Sequence, residues 1–335
     1  MYSPKQFQEQ GESVRSLLEQ IHTGRMVHAL LISGEAGTGK WSLAQAIASA
    51  LLCQGEGEKP CGKCRACLQM ENLDHPDLIV LQKGVPISPE IKKPRANIPV
   101  DDIREMIRRT SVHALEGNDH VVIIRHAEDM GHEAQNALLK TLEEPPEGTF
   151  FLLTCIRTNE LLPTIISRCR PLKMHSWSNA TVMTVLREHG ISEDRARHAA
   201  AAAHGSIGAA LKTAQDESYW QFRKEVINDF LECPSRSEIL KISTKWKDRK
   251  GEADALFSIL EEELNQMLHR SLGQVPEGED ITPERWKEFA AQADTEKYTK
   301  LFDGLLLARK RTAAQVNFQA VTEQVIIMLM EAIST

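Results

Sequence analysis

No stretch of this chain stays apolar for the length a bilayer span needs, and its N-terminus, MYSPKQFQEQGESVRSLLEQ, has no apolar core of the kind a secretory signal carries. These two absences predict a cytoplasmic protein with no membrane contact. Positive charge is also in short supply: 40 Lys and Arg against 47 Asp and Glu leave a formal net charge of −7. That balance argues against holding nucleic acid by bulk electrostatics, while allowing a local basic strip to touch DNA within a larger assembly. Repeats and low-complexity tracts are missing, so neither a solenoid nor a disordered tail organises the 335 residues. What is present is ordinary for a globular protein, 41% hydrophobic and 26% charged, with interior enough for two or three domains.

Residues 34–40 read GEAGTGK, a glycine-rich loop of the type whose backbone N–H groups and lysine hold phosphates. Gly34, Gly37, Gly39 and Lys40 are therefore the candidate cofactor-binding residues. The Ser or Thr that should follow, to help fix Mg²⁺, is lacking. Trp41 stands there, and an indole offers one donor and no metal-ligating oxygen. Ser42 is no substitute, since one residue further along a helix turns the side chain by about 100°. A second absence agrees with the first. The apolar run 121–124, VVII, should lead into Asp-Glu, one to hold the metal and one to orient water, but it leads into Arg125-His126. A guanidinium has no acceptor atoms and cannot replace a metal-binding carboxylate. Glu128 and Asp129 lie beyond the strand end and read as an acidic pair complementing the dipole of the helix leading to Asn136. A phosphate loop without its metal site predicts lost hydrolysis. Whether the loop still touches a nucleotide or is a glycine turn without ligand stays open.

Disulfides are not expected in a reducing compartment, so four closely spaced cysteines need another explanation. Cys53, Cys61, Cys64 and Cys67 form C-x7-C-x2-C-x2-C, with Gly62 easing the turn. Four thiolates close a tetrahedral Zn²⁺ site and leave no position for water, which makes the ion structural. The x3-C-P continuation of bacterial ferredoxins is absent after Cys67, so zinc is favoured over an iron–sulfur cluster. Cys155, Cys169 and Cys233 stand apart and read as small core residues.

Periodicity gives a helix over 7–22, a strand over 27–33 and a helix over 42–52, the order a phosphate loop requires. Short β-like runs at 78–81, 121–124 and 150–154 alternate with helical patterns at 101–112 and 133–142, which predicts a parallel α/β sheet. After Pro171 no further strand is expected. Short helices run to about residue 214, broken at His204-Gly205-Ser206, and long amphipathic segments at 256–268, 298–308 and 314–330 complete a helical bundle. Lys92-Lys93-Pro94-Arg95 reads as a solvated loop. Arg104, Arg108 and Arg109 mix helix faces and make no continuous DNA stripe.

Together these segments resemble the AAA+ clamp-loader family of bacterial DNA polymerase III, most closely its delta-prime branch. The resemblance rests on HALLISG at 28–34, the four-cysteine module, NALLKTLEEPP at 136–146, FFLLT at 150–154, LPTIISRC at 162–169 and AQVN at 314–317. It covers most of the chain. It implies an AAA+ P-loop domain over 1–174 with a zinc module inserted at 53–67, a small helical lid over 175–215 and a helical collar for oligomerisation over 216–335.

The same resemblance implies a subunit with no ATPase or polymerase activity of its own, helping to load a sliding clamp onto primed DNA. Its partners would be the gamma/tau ATPase subunits and delta, with the clamp met indirectly and primer-template DNA within the complex. In Ser167-Arg168-Cys169 it implies an arginine finger, Arg168, acting in trans on a neighbour's nucleotide. Another family element, Gly-Ser-x-Arg, reads Gly205-Ser206-Ile207-Gly208 and so lacks its arginine. The exposed polar positions of 136–146 are implied to face other subunits and DNA. Two alternatives remain. An active AAA+ motor or DNA-repair ATPase would need Mg²⁺-dependent turnover despite Trp41, Arg125 and His126. A zinc-dependent nucleic-acid-binding module would bind DNA as a lone chain with steep salt dependence, which the acidic balance opposes.

Overall fold

Among the described residues, four largely apolar runs and the segment RPLK form the strands of one parallel sheet: β1 Ala29–Ser33, β2 Leu78–Leu81, β3 His120–Ile124, β4 Thr149–Cys155 and β5 Arg170–Lys173, in the order β2-β3-β4-β1-β5. This is a computed structural model, describing residues 7, 9–88, 95–117, 119–232, 235–273, 283–292 and 295–334. Cys233, Lys92-Lys93-Pro94 and the polar turn after Gly273 lie outside the described residues.

The central strands read as unbroken apolar runs because helices cover both faces of a parallel sheet. All of β3 is buried, and its Ile123 pairs with Leu152 of β4, while Leu31 of β1 pairs with Leu153. The helices before and between the strands are α1 Glu12–His22, α2 Lys40–Leu52, α3 Arg65–Glu71, α4 Val100–Thr110, α5 His132–Glu143 and α6 Pro163–Ile166. The sequence pattern marks no strand between 154 and Pro171 and expects none after it, yet β5 runs through that proline to Lys173, with Leu31 opposite Pro171. β5 is the edge of the sheet, where a missing N–H removes no ladder bond on the outer side.

The remaining helices are α7 Asn179–Glu188, α8 Glu193–Ala202, α9 Ile207–Gln215, α10 Glu217–Val226, α11 Ile239–Trp246, α12 Ala253–Ser271, α13 Glu284–Gln292, α14 Thr295–Ala313 and α15 Phe318–Ser334. The chain divides into two compact units, Met1–Trp177 with Ser206–Gly208, and Ser178–Gly205 with Ala209–Thr335. The regular elements among the second unit's described residues are all helical, packed around Trp246, Phe257, Trp286 and Tyr298. No helix among the described residues is long and apolar enough to cross a membrane.

A polar knot lies inside that helical unit. Arg223 of α10 is only 2% exposed; it donates to the Glu263 carboxylate of α12 and lies 2.8 Å from His198 Nε2 of α8. Gln266 Nε2 sits 2.7 Å from the other imidazole nitrogen, so three helices share one network. A buried ion pair contributes little net stability but is costly to break, because the remaining charge is left without a partner. Arg223→Ala is expected to lower stability by about 3–5 kcal/mol in urea unfolding, and the paired apolar replacement Arg223→Met with Glu263→Leu to recover much of it.

Candidate functional site

The glycine loop joins β1 to α2, at the carboxyl end of the sheet where open α/β folds place ligands. Gly34 is obligatory for two reasons. Its φ is +152°, and a Cβ there would lie 2.6 Å from the Met174 carbonyl oxygen just past β5. Gly39, at φ +91°, caps α2 in the left-handed conformation. The Lys40 ammonium turns back on the loop, donating to the carbonyls of Gly34 at 2.8 Å and Glu35 at 2.6 Å. Burial lowers its pKa, and the carboxylates of Glu128 and Glu35 pull it part of the way back. The loop is also held from outside: Trp177 Nε1 donates to Thr38 O at 2.8 Å, and the Gly208 N–H to Gly37 O at 3.3 Å.

The two positions that should carry the metal site meet each other. The Arg125 guanidinium lies over the Trp41 ring, 5.0 Å from its centroid, and donates to Gln82 Oε1 at 3.3 Å. Such a cation–π contact is worth about 0.5–2 kcal/mol and holds both side chains where a hydroxyl and a carboxylate would serve Mg²⁺. His126 takes a left-handed φ of +52°, its N–H on Thr154 Oγ1 at 3.1 Å. Glu128 departs from the sequence reading. It stands with Asp129 in a 3-10 turn ahead of α5, not at that helix's N-terminus, and its Oε1 accepts the Ile156 N–H at 2.8 Å beyond β4. The side chain is 4% exposed and close enough to Lys40 to raise its pKa. It is a buried counter-charge to the loop lysine. Only contacts from distant segments reveal this.

The four cysteines come together as their spacing predicts. Their sulfurs all lie within 4.8 Å of one another, with Cys53–Cys64 at 4.0 Å and Cys61–Cys67 at 3.9 Å. A tetrahedral zinc with bonds of about 2.3 Å needs edges of about 3.8 Å, so the cluster could hold such an ion. Backbone N–H groups support the sulfurs: that of Cys61 points to Cys53 Sγ, of Cys64 to Cys61 Sγ and of Cys67 to Cys64 Sγ, at 3.3, 3.4 and 3.5 Å. Donors from Lys63 and Cys64 bring the Cys61 thiol down to about 6. Burial pushes Cys67 up, the direction expected of a thiol that needs a metal to ionise.

Gly55 carries no signal in the sequence. A Cβ there would lie 2.5 Å from Cys61 Sγ and 2.9 Å from Cys61 Cβ, so only glycine lets the chain pass the cluster. Cys155 and Cys169 are buried, and burial pushes their thiols up to about 11 and about 12. That keeps them unreactive, as core residues.

Arg168 lies between α6 and β5 and is held by short-range partners. Its Nε donates to Glu143 Oε1 of α5 at 2.9 Å, Nη2 shares that oxygen, and Nη1 reaches Thr164 O at 2.9 Å. Its side chain remains 29% exposed. Gln135, 2% exposed on α5, ties down the segment leading to it: the Leu162 N–H donates to Gln135 Oε1 at 2.7 Å, and Gln135 Nε2 donates to Glu160 O at 3.2 Å. A polar side chain on the apolar face of 133–142 is the available signal for Gln135. Arg104, Arg108 and Arg109 are engaged with Asp101, Glu133 and Glu105.

A family model described as DNA polymerase III, delta subunit, matches residues 9–178, which include the loop, the cysteines and Arg168. The chain belongs to the DNA polymerase III delta-subunit family. Within that family it is similar to DNA polymerase III subunit delta' of Bacillus subtilis, 29% identical over 95% of both chains. The corresponding protein of Yersinia pestis is 44% identical over 46% of this chain and 44% of its own length, and that of Escherichia coli 38% identical over 62% and 60%. For the latter two the match spans less than two thirds of the relative. Solved structures are more remote: a gamma subunit-related protein from Thermotoga maritima gives a TM-score of 0.41 at 17% identity, over 96% of this chain and 100% of that one.

Gly55→Ala is expected to displace Cys61 Sγ and cut the metal content of the purified chain well below one ion per molecule, as measured by elemental analysis. The double change Trp41→Thr with Arg125→Asp removes the stacked pair and supplies the missing oxygen ligands. It is expected to raise Mg²⁺-dependent ATP affinity at least about tenfold over the parent chain in equilibrium titration.

Proposed function

We propose that this chain is the non-hydrolysing delta-prime-type subunit of a cytoplasmic DNA polymerase III clamp loader. In this reading residues 1–174 form the AAA+ domain, 175–215 a lid and 216–335 a collar that joins the gamma/tau and delta subunits. The assembly opens a sliding clamp and closes it on primer-template DNA. The four cysteines hold a structural zinc ion, which shapes the AAA+ domain and takes no part in chemistry.

The observation that carries the reading is the stacking of Arg125 on Trp41. Nucleotide hydrolysis in P-loop proteins relies on positioning and on metal charge. Here the hydroxyl and carboxylate positions are filled by groups that ligate no magnesium, and Lys40 is satisfied by its own loop. The chain's contribution to turnover is then made on a neighbour. The Arg168 guanidinium is held by Glu143 and the Thr164 carbonyl while the side chain stays 29% exposed, which suits delivery of positive charge across an interface to a γ-phosphate.

The test is ATP turnover of the reconstituted loader with clamp and primed DNA, with assembly checked by sedimentation. Arg168→Ala is expected to leave assembly intact and slow hydrolysis at the adjacent site by roughly 10³-fold or more. Unchanged turnover would remove the finger role. Mg²⁺-dependent hydrolysis by the isolated chain would overturn the non-hydrolysing assignment.

A further inference from the structure

The cysteine module touches more than its own sulfurs. Gln54 follows Cys53, Arg65 lies between Cys64 and Cys67, and Gln69 is one turn further on the face of α3 that carries Arg65. All three reach Glu116, in the loop between α4 and β3. Gln54 Nε2 donates to the Glu116 main-chain carbonyl, Arg65 Nη2 stands 2.9 Å from the carboxylate, and Gln69 Nε2 donates to it at 3.4 Å.

The same loop is also held by Asp77, 0% exposed, whose two carboxylate oxygens accept the N–H groups of Leu115 at 2.6 Å and Glu116 at 2.8 Å. His120 Nε2 adds a bond of 2.9 Å to Val112 O. Between these tethers the loop has no regular structure and leaves Val112 64% and Leu115 78% exposed. With its large side chains in water, hydrophobic burial does nothing to fix its shape. Its conformation rests on polar tethers from elsewhere in the chain.

We propose that the cysteine module is a metal-dependent strut for the 111–117 loop. This rests on the reading of the four cysteines as a metal site. Closing that site fixes the backbone from Cys53 to Gln69, and Gln54, Arg65 and Gln69 transmit the fixed geometry to Glu116. Without the ion the cross-link between the start and end of the module is lost, and the loop keeps only Asp77 and His120. A module with no open coordination position thereby sets the shape of an exposed apolar loop far from it in sequence.

The test is hydrogen–deuterium exchange on the full chain, with metal content measured in parallel. Stripping zinc with a chelator under reducing conditions is expected to speed exchange across 111–117 by at least about tenfold while β3 stays protected. Glu116→Ala in the zinc-loaded protein removes the carboxylate that Arg65 and Gln69 share, leaves the main-chain carbonyl that accepts from Gln54, and touches no ligand. It is expected to speed the same segment at unchanged zinc content, with Glu116→Gln in between. A loop indifferent to Glu116→Ala overturns the strut, and this comparison decides even if stripping unfolds β3. A chain purified without metal fails the metal reading itself, whereas bound metal with an indifferent loop fails only the strut.

Discussion

The parallel pairing of β1 between β4 and β5 is the constraint on which everything else depends. Parallel strands bring all their carboxyl ends to one edge of the sheet, so segments far apart in sequence meet there. The glycine loop leaves β1, Arg125 and His126 leave β3, Ile156 follows β4, and Met174 follows β5. Gly34 passes under the Met174 carbonyl because β1 and β5 are adjacent, and Glu128 reaches Ile156 because β3 and β4 are. A shift in one strand's register would disturb each of these contacts. The near-complete burial of β1, β3 and β4 is what prevents it.

Charge at that edge is balanced by side chains and carbonyls of the chain itself. In an active phosphate loop the lysine and the divalent ion face the anionic nucleotide, and carboxylates hold the ion. Here the guanidinium of Arg125 is a fixed cation spread over an indole face, while the lysine is enclosed by two carbonyls and influenced by a buried Glu128. Each cation therefore has an intramolecular partner. A triphosphate would have to displace those partners and bring a metal for which the site offers neither hydroxyl nor strand-end carboxylate.

Local chemistry is legible in the sequence, and distant pairing is not. The glycine loop and the cysteine cluster are encoded within short windows, so spacing suffices to anticipate strand, loop, helix and converging sulfurs. Trp41 and Arg125 are each recognisable as losses, but nothing in either window says that they stack, because one follows β1, the other β3, and β4 lies between those strands. Glu128 reads as a helix-dipole partner because its neighbours look like a helix start; its true partner is 28 residues away. β5 escapes the pattern because Pro171 looks like a terminator, and only its edge position makes it acceptable. Gly55, Gln135 and Glu143 act through contacts that spacing does not encode.

The ion pair between Arg168 and Glu143 sits on the surface, with side chains 29% and 48% exposed. Pairs of this kind contribute about 0–1 kcal/mol, since solvent screens them and side-chain ordering opposes them. In the proposed role the finger contributes roughly 10³–10⁵ in rate, equivalent to about 4–7 kcal/mol of barrier. Glu143 therefore orients the guanidinium in the free chain without locking it. In that role, exchanging a half-exposed carboxylate for a multiply charged phosphate would be favourable on charge alone, and in the free chain Nη1 has a second tether on the Thr164 carbonyl. A buried carboxylate in that position would have imposed the opposite behaviour, because separating it from its arginine would cost several kcal/mol. In the proposed role, the shallow placement of Glu143 at the exposed end of α5 would leave the arginine both preorganised and available.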